Sequence, residues 1–220
     1  MVSSAAILPQ MAGAKTERAR RTQSERSEAT RLALLDAAVD CLVELGYART
    51  TTRRVAARAS VTPGALQHHF SSKAELLRAT VSHIRTLWAG EILSFRPDAE
   101  SLKGRHEQLL DRMWSLYRGP LFRAMLELSV GVRTDPALAA PLAGAHEEMV
   151  RITAAGIPIL FPEHADRPEM LPLVLTGQAT MRGLVLIGHT GDGDPDAVWP
   201  ATRAHILALN ALVLDDDALR

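Results

Sequence analysis

The sequence predicts an all-α protein, with an N-terminal three-helix helix-turn-helix domain followed by a C-terminal helical domain. Three observations carry this. Ala, Leu and Arg are the common residues of a 220-residue chain in which aromatics make up only 4%, and these three are good helix formers. Apolar residues recur at three- and four-residue spacings, with no convincing alternation of the strand type. Between residues 46 and 77, two short helices flank a turn of three to four residues, and an amphipathic helix precedes them.

Taken in order, residues 15–31 are strongly polar and hold Lys15, Arg18, Arg20, Arg21, Arg26 and Arg31, while residues 1–14 carry no charge. The stretch 1–26 reads as a disordered basic arm. From Leu32 to Leu45 the residues Leu34, Leu35, Ala38, Cys41, Leu42 and Leu45 form one apolar stripe, opposite Asp36, Asp40 and Glu44, the pattern of a half-buried helix. Gly46 ends it, being tolerant of the left-handed cap conformation. Thr51 or Thr52 caps a short helix running to about Ala59, with Val55, Ala56 and Ala59 inward. Ser60-Val61-Thr62 breaks that helix. Thr62 caps a second one, in which Pro63 occupies the first turn where its missing N–H costs nothing. Ser72 and Glu75 form a capping box for a helix from Lys73 to about Leu93, long enough to link two domains.

The helix-turn-helix domain therefore spans 27–72 and the second helical domain 73–220. Within the latter, helices are expected over roughly 99–118, 121–132, 136–155, 168–187 and 196–214. Pro97, Gly119-Pro120 and Asp135-Pro136 separate the early ones. Gly156-Ile-Pro-Ile-Leu-Phe-Pro reads as a loop, and Gly188 to Pro195 as a turn-rich, mobile one.

Net charge is zero, yet residues 15–85 hold 13 Lys+Arg against 7 Asp+Glu, and residues 86–220 hold 12 against 18. A basic front and an acidic rear suit one module that meets a polyanion and another that avoids it. No run approaches the roughly 20 apolar residues that cross a bilayer. Residues 1–14 also lack the basic start and apolar stretch of a secretory signal. The single cysteine, Cys41, has no intrachain partner, which fits a reducing cytoplasm.

Catalytic and metal constellations are missing from the pattern. There is no Gly-rich phosphate loop and no Gly-x-Ser-x-Gly elbow. His146-Glu147-Glu148 is not the HExxH arrangement of zinc proteases. His68 and His69 diverge by about 100° on a helix and do not easily share an ion. His83, His106, His164, His189 and His205 show no ligand spacing. The expectation is a protein that is not an enzyme, with no cofactor and no metal.

The short helices pack through small residues. Ala56, Ala57, Ala59 and Ala65 permit close approach, and Val55, Val61, Leu66 and Phe70 fill the small core. Exposed on the second helix are Thr62, Pro63, Gly64, Ala65, Gln67, His68 and His69, a low-profile surface suited to a major groove about 12 Å wide. The stretch GYARTTTRRVAARASVTPGALQHHFSSKAELL closely resembles the DNA-binding region of the TetR family of bacterial regulators. The resemblance spans residues 30–80. It lies in the spacing of Gly-Tyr, Thr-Thr, Val-Ala, Val-Thr-Pro-Gly, His-Phe and Ser-Lys-x-x-Leu.

That resemblance implies roles by position. Thr62, Pro63, Ala65, Gln67 and His68 would face bases or sugars, with Gly64 on the same surface. Thr51, Arg53, His69 and Lys73 would lie near phosphates, and Thr52 would cap a helix. Hydroxyls, helix N-terminal amides and cations are the groups phosphates need. The family usually has Tyr where this chain has Gln67. A glutamine can hydrogen-bond an adenine edge.

For the C-terminal domain the resemblance is architectural. It implies a cavity among the helices, with Trp88, Met113, Trp114, Tyr117, Phe122, Met125, Met149 and Met181 as candidate lining for a small apolar or amphipathic effector. Glu127, Arg133 and His146 are polar candidates, although Glu127 and Arg133 equally suit a structural pair. Two strongly apolar segments remain: Leu171, Leu175, Ala179, Leu184, Leu186 and Ile187, then Val198, His205, Ile206, Leu209 and Leu212. In the family such helices pair across a two-fold axis. The expectation is a cytoplasmic, homodimeric, ligand-responsive transcriptional repressor on a palindromic operator. The alternative is a constitutive or architectural DNA-binding dimer without an effector.

Overall fold

Helix α1 (Gln10–Leu45) sends its buried face into two separate cores. The computed structural model describes residues 10–191 and 193–214, and among these no strand occurs. From Ala14 to Leu45 the chain contains neither glycine nor proline, so nothing in the backbone interrupts a helix of Ala, Arg, Glu and Leu. The expected disordered arm is thus helical from Gln10 onward. Residues 1–9 lie outside the described residues.

Gly46 takes φ +76° and stops α1. Then follow α2 (Thr52–Arg58) and α3 (Pro63–His69). Leu34, Leu35, Ala38 and Cys41 of α1 meet Val55 and Ala56 of α2, Leu66 of α3, and Phe70 in one buried cluster. Burial raises the pKa of the Cys41 thiol, as expected for a small core residue. The turn between α2 and α3 is closed by Ser60 and Val61 donating N–H groups to Ala57 and Ala56 at 3.1 and 3.0 Å. Ser60 pays for this turn with φ +56°, the left-handed region that glycine adopts more easily.

Helix α4 (Lys73–Ser94) runs past three successive cores. Its Leu76 belongs to the helix-turn-helix cluster. Leu77, Val81 and Ile84 pack with Val39 and Leu42 of α1 and with Ala124 and Leu128 of α6 (Pro120–Gly131). Trp88 and Ile92 enter a third core with α5 (Leu102–Arg118), α9 (Met170–Thr190) and α10 (Pro195–Leu214). One helix therefore touches both the helix-turn-helix unit and the larger domain.

The chain departs from expectation at three breakers. The single helix expected over 136–155 is split. A 3-10 turn (Pro136–Leu138) and the short α7 (Ala139–Leu142) end at Gly144, whose φ of +70° opens α8 (Ala145–Leu160). Conversely, the loop expected from Gly156 is helical through Leu160, with Pro158 inside α8. Ile157 is buried there, and Leu160 and Phe161 pack onto neighbouring cores. That apolar burial carries the helix past the proline, and it ends two residues later. Helix α9 likewise runs to Thr190, shortening the turn-rich segment.

Two helical stretches, Met170–Gly188 and Pro195–Leu214, are long and apolar enough to cross a membrane by length and composition alone. This corrects the expectation that no run approached that length. Both pack into the third and fourth cores through Met181, Val185, Trp199, Ile206 and Ala211.

Candidate nucleic-acid interface and effector cavity

Helix α3 is set up by its caps. The Thr62 side chain accepts the Ala65 N–H at 3.1 Å, and Pro63 occupies the first turn. Leu66 is buried while Thr62, Pro63, Gly64, Gln67 and His68 are exposed, with Ala65 and His69 half-buried. Gly64 keeps the approach low, because nothing but the Thr62 hydroxyl lies near the place of a Cβ. The surface has no large apolar side chain to exclude a polar ligand edge.

Beside α3 lies a groove of about 390 Å³ that brings together Thr52, Arg53, Pro63, Gln67 and Lys73. Arg53 is exposed, and no ion pair engages it among the described residues. Arg58 behaves differently. Its guanidinium donates to Asp40 at 2.9 Å and to both Glu44 oxygens at 2.6 Å, binding α2 to α1. The two acidic residues on α1 thus neutralise one arginine of the basic half and leave Arg53 free.

The threonine pair divides its work otherwise than expected. Thr51, assigned to phosphates, is the cap of α2 and accepts the Arg54 N–H at 3.3 Å. Thr52, assigned to capping, occupies the first helical position and lines the groove. An adjacent pair of threonines carries no sequence signal for which one caps. At α4, the Ser72 hydroxyl accepts the Glu75 N–H at 3.1 Å, but the Glu75 carboxylate reaches back to Ser71, one residue beyond the cap. These hydrogen bonds hold the Glu75 pKa below the ordinary carboxylate range.

Lys73 is half-buried, with its ammonium 4.2 Å from the centre of the Tyr47 ring. Burial lowers its pKa, and the Asp135 carboxylate opposes that shift. Tyr47 itself donates its hydroxyl to Asp135, and its backbone N–H to Glu127 at 3.1 Å. Glu127 therefore serves the junction and forms no ion pair with Arg133. His83 of α4 and Asp36 of α1 add a contact at 2.7 Å. Sequence reasoning did not pair Tyr47 with Asp135 or His83 with Asp36, because pairs separated by 88 and 47 residues leave no local pattern.

In the larger domain a cavity of about 410 Å³ lies among α4, α5, α6, α8 and α9. Five candidates from the sequence line it, Trp88, Tyr117, Phe122, Met125 and Met149, and so does the polar candidate His146. Their rings are interlocked. Trp88 and Tyr117 are 5.1 Å apart edge-on, and Tyr117 and Phe122 4.9 Å. Met113 and Met181 line a separate, smaller cavity of about 60 Å³.

Trp114 lines neither cavity. It stacks on Trp199 with ring centres 4.8 Å apart and planes 9° from parallel. Its indole N–H donates to Asp196 of α10 at 2.9 Å, while that of Trp199 donates to Asp111 of α5 at 2.8 Å. This reciprocal lock satisfies both buried donors and fixes α10 on α5. Arg85 and Arg182, which sequence reasoning passed over, also line the larger cavity. A signal existed, since Arg182 is the only charged residue between Met170 and Thr190.

Helices α9 and α10 also carry an outward apolar face. Exposed along it are Ala179, Gly183, Leu186 and Ile187 on α9, then Val198, Ala201, Leu209 and Leu212 on α10. Leu212 is 70% exposed and Ile187 52%. Ile206, expected at an interface, is buried within the protomer. Among the described residues, no group of three His, Cys, Asp or Glu side chains is placed to hold a metal.

Residues 34–80 match the profile described as bacterial regulatory proteins, tetR family. An uncharacterized HTH-type transcriptional regulator of Mycobacterium bovis is 30% identical over 177 residues, covering 75% of this chain and 88% of that protein. Among solved structures, a transcriptional regulator from Rhodococcus superposes with a TM-score of 0.62 at 23% identity, over 82% of this chain and 95% of that one. The fold also matches the transcriptional regulator FadR from Bacillus subtilis, solved in complex with stearoyl-CoA. Its TM-score is 0.55 at 16% identity, over 80% of this chain and 96% of that one.

Proposed function

Because this chain belongs to the TetR family of bacterial regulatory proteins, we propose that it works as a homodimeric repressor that releases a palindromic operator when a small molecule binds. It is a helix-turn-helix transcriptional regulator and not an enzyme. What carries the finer reading is one arrangement. The exposed Pro63, Gly64, Gln67 and His68 of α3 lie beside the groove that holds Arg53. In this reading Thr62, Pro63, Ala65, Gln67 and His68 meet bases or sugars, and Thr52, Arg53 and His69 meet phosphate. Lys73 is a junction residue first, since its ammonium rests on Tyr47.

Dimerisation is supported by the outward apolar face of α9 and α10, where Leu186, Ile187, Val198, Leu209 and Leu212 are exposed. Pairing through that face about a two-fold axis sets two copies of α3 one helical turn of DNA apart, so the operator is a near-palindrome. The protein then acts in the cytoplasm with its DNA.

Effector response is supported by the cavity beside Trp88, which is framed by α4. A ligand that prefers one position of α4 shifts the dimer between DNA-competent and DNA-incompetent spacings. The likeness in fold to a regulator crystallised with stearoyl-CoA is consistent with a ligand in the helical domain. Selection of bound sequences from a random DNA library tests the reading. One recovered palindrome supports it. Binding without sequence preference would instead favour an architectural DNA-binding dimer.

A further inference from the structure

The charged groups that line the cavity beside Trp88 are all cationic. Its lining contains 14 residues, and none is Asp or Glu. Arg85 and Arg182 both line it, and among the described residues neither has a carboxylate partner. Arg182 donates Nε–H to the Tyr117 hydroxyl at 3.4 Å, with its guanidinium 5.7 Å from the Tyr117 ring centre. The hydroxyl accepts there, which leaves its own proton to donate elsewhere. Trp88 is 3% exposed, and its indole N–H is buried with no hydrogen-bond partner. A buried donor left unmade is costly, and native proteins rarely keep one without a ligand or water to take it.

We propose that this cavity binds an apolar monoanion, a carboxylate carried on an aliphatic or aromatic body. The inference rests on the reading that the cavity is the effector site, and adds the charge of the ligand. The carboxylate sits at the end marked by Arg182 and Tyr117. It is an acceptor-only group, and it matches the Arg182 guanidinium and the Tyr117 hydroxyl. The apolar body lies against Phe122, Met125, Leu142 and Met149. Arg85, one turn before Trp88 on α4, adds a second positive charge to the same lining. A cationic ligand would meet two arginines and no counter-charge. A neutral ligand would leave both guanidiniums without a counter-charge. The volume, about 410 Å³, suits a body of ten to fifteen heavy atoms.

Isothermal titration of the full-length protein tests this with four probes: decanoate, 4-phenylbutanoate and the primary amide of each. One acid should bind at least about tenfold more tightly than its amide, the size of one charge-assisted hydrogen bond. Which acid binds tells an aliphatic from an aromatic body. Arg182→Gln, and separately Arg85→Gln, should weaken the acid by about tenfold while leaving the amide nearly unchanged. Amides that bind as tightly as acids would overturn the charge assignment and leave the cavity an effector site. Acid affinity unchanged in both arginine variants would overturn it as well. If none of the four probes binds, the inference is overturned and the effector-site reading stands apart from it. An acid that binds in the arginine-dependent way but leaves operator affinity untouched would support the ligand class while removing the regulatory reading.

Discussion

The hydroxyl of Tyr47 donates to the carboxylate of Asp135, joining the segment after α1 to the turn that follows α6. Around that bond, Lys73 rests on the Tyr47 ring and Glu127 accepts the Tyr47 N–H. The DNA-binding unit is thereby fastened to the larger domain at the start of α4, by contacts additional to the packing of that helix. A shift of α6 reaches α1 through hydrogen bonds as well as packing. Replacing Tyr47 by Phe should lower Tm by roughly 2–4 °C, the effect of one hydrogen bond in a chain of this length. Calorimetry checks this. An unchanged Tm would mean that the bond holds nothing.

The same pair sets a pH dependence at both ends of the scale. Burial first, and then the bond to Asp135, push the Tyr47 pKa from 10.0 up to about 12. A raised folded pKa contributes stability that is present below pH 10.0 and is lost as pH rises through about 12. The Tyr47 bond holds the Asp135 pKa below its ordinary value of 3.8. That contribution is present above pH 3.8 and is lost as pH falls through the depressed value. Urea unfolding of wild type and Tyr47→Phe across pH should therefore show the largest difference between these limits. A difference that grows above pH 12 would contradict the assignment.

Gly131 has no room for a side chain. An added Cβ would lie 2.8 Å from Tyr47 Cδ1 and 2.9 Å from Leu138 Cδ1. Gly131→Ala should destabilise by about 1–3 kcal/mol through overpacking, read as a lower urea midpoint. Combining it with Tyr47→Leu should cost less than the sum of the two, because the pair shares one contact.

At the far end of the molecule, Trp114→Phe keeps the stack on Trp199 but removes the donor to Asp196. The expected cost is about 1 kcal/mol, with operator affinity unchanged. A loss of effector binding without a loss of stability would return Trp114 to the ligand site.

Leu209→Glu together with Leu212→Glu places two carboxylates on the outward face of α10, where these residues are 41% and 70% exposed. Sedimentation velocity should find a monomer of unchanged helicity. A variant that remains dimeric would move the interface elsewhere.

The sequence was legible where the physics is local. The caps at Thr62 and Ser72, Pro63 in the first turn, and the stripe Leu34, Leu35, Ala38, Cys41 each depend on residues a few positions apart, and each stands where the pattern puts it. Pro158 and Gly144 misled because tertiary burial of Ile157 outweighs a proline near a helix end, while a left-handed glycine cuts a stretch of sound helix formers. Trp114 was misplaced because an aromatic at helical spacing looks alike in a cavity wall and in a helix lock. Only the position of Asp196, 82 residues away, tells them apart. The exposed face of α3 followed from its motif, whereas the junction at Tyr47 needed the fold.

The most direct measurement is affinity for the selected palindrome, for one half-site and for a scrambled duplex, each titrated against salt. A dimeric operator binder should prefer the palindrome over both others, with log affinity falling steeply against log salt as phosphates are neutralised, at about 0.9 per phosphate contact. Preference over the scrambled duplex should vanish in the Gln67→Ala, His68→Ala double variant while its dimer persists. Equal affinity for all three duplexes, or a preference that survives in that variant, would contradict sequence reading by α3.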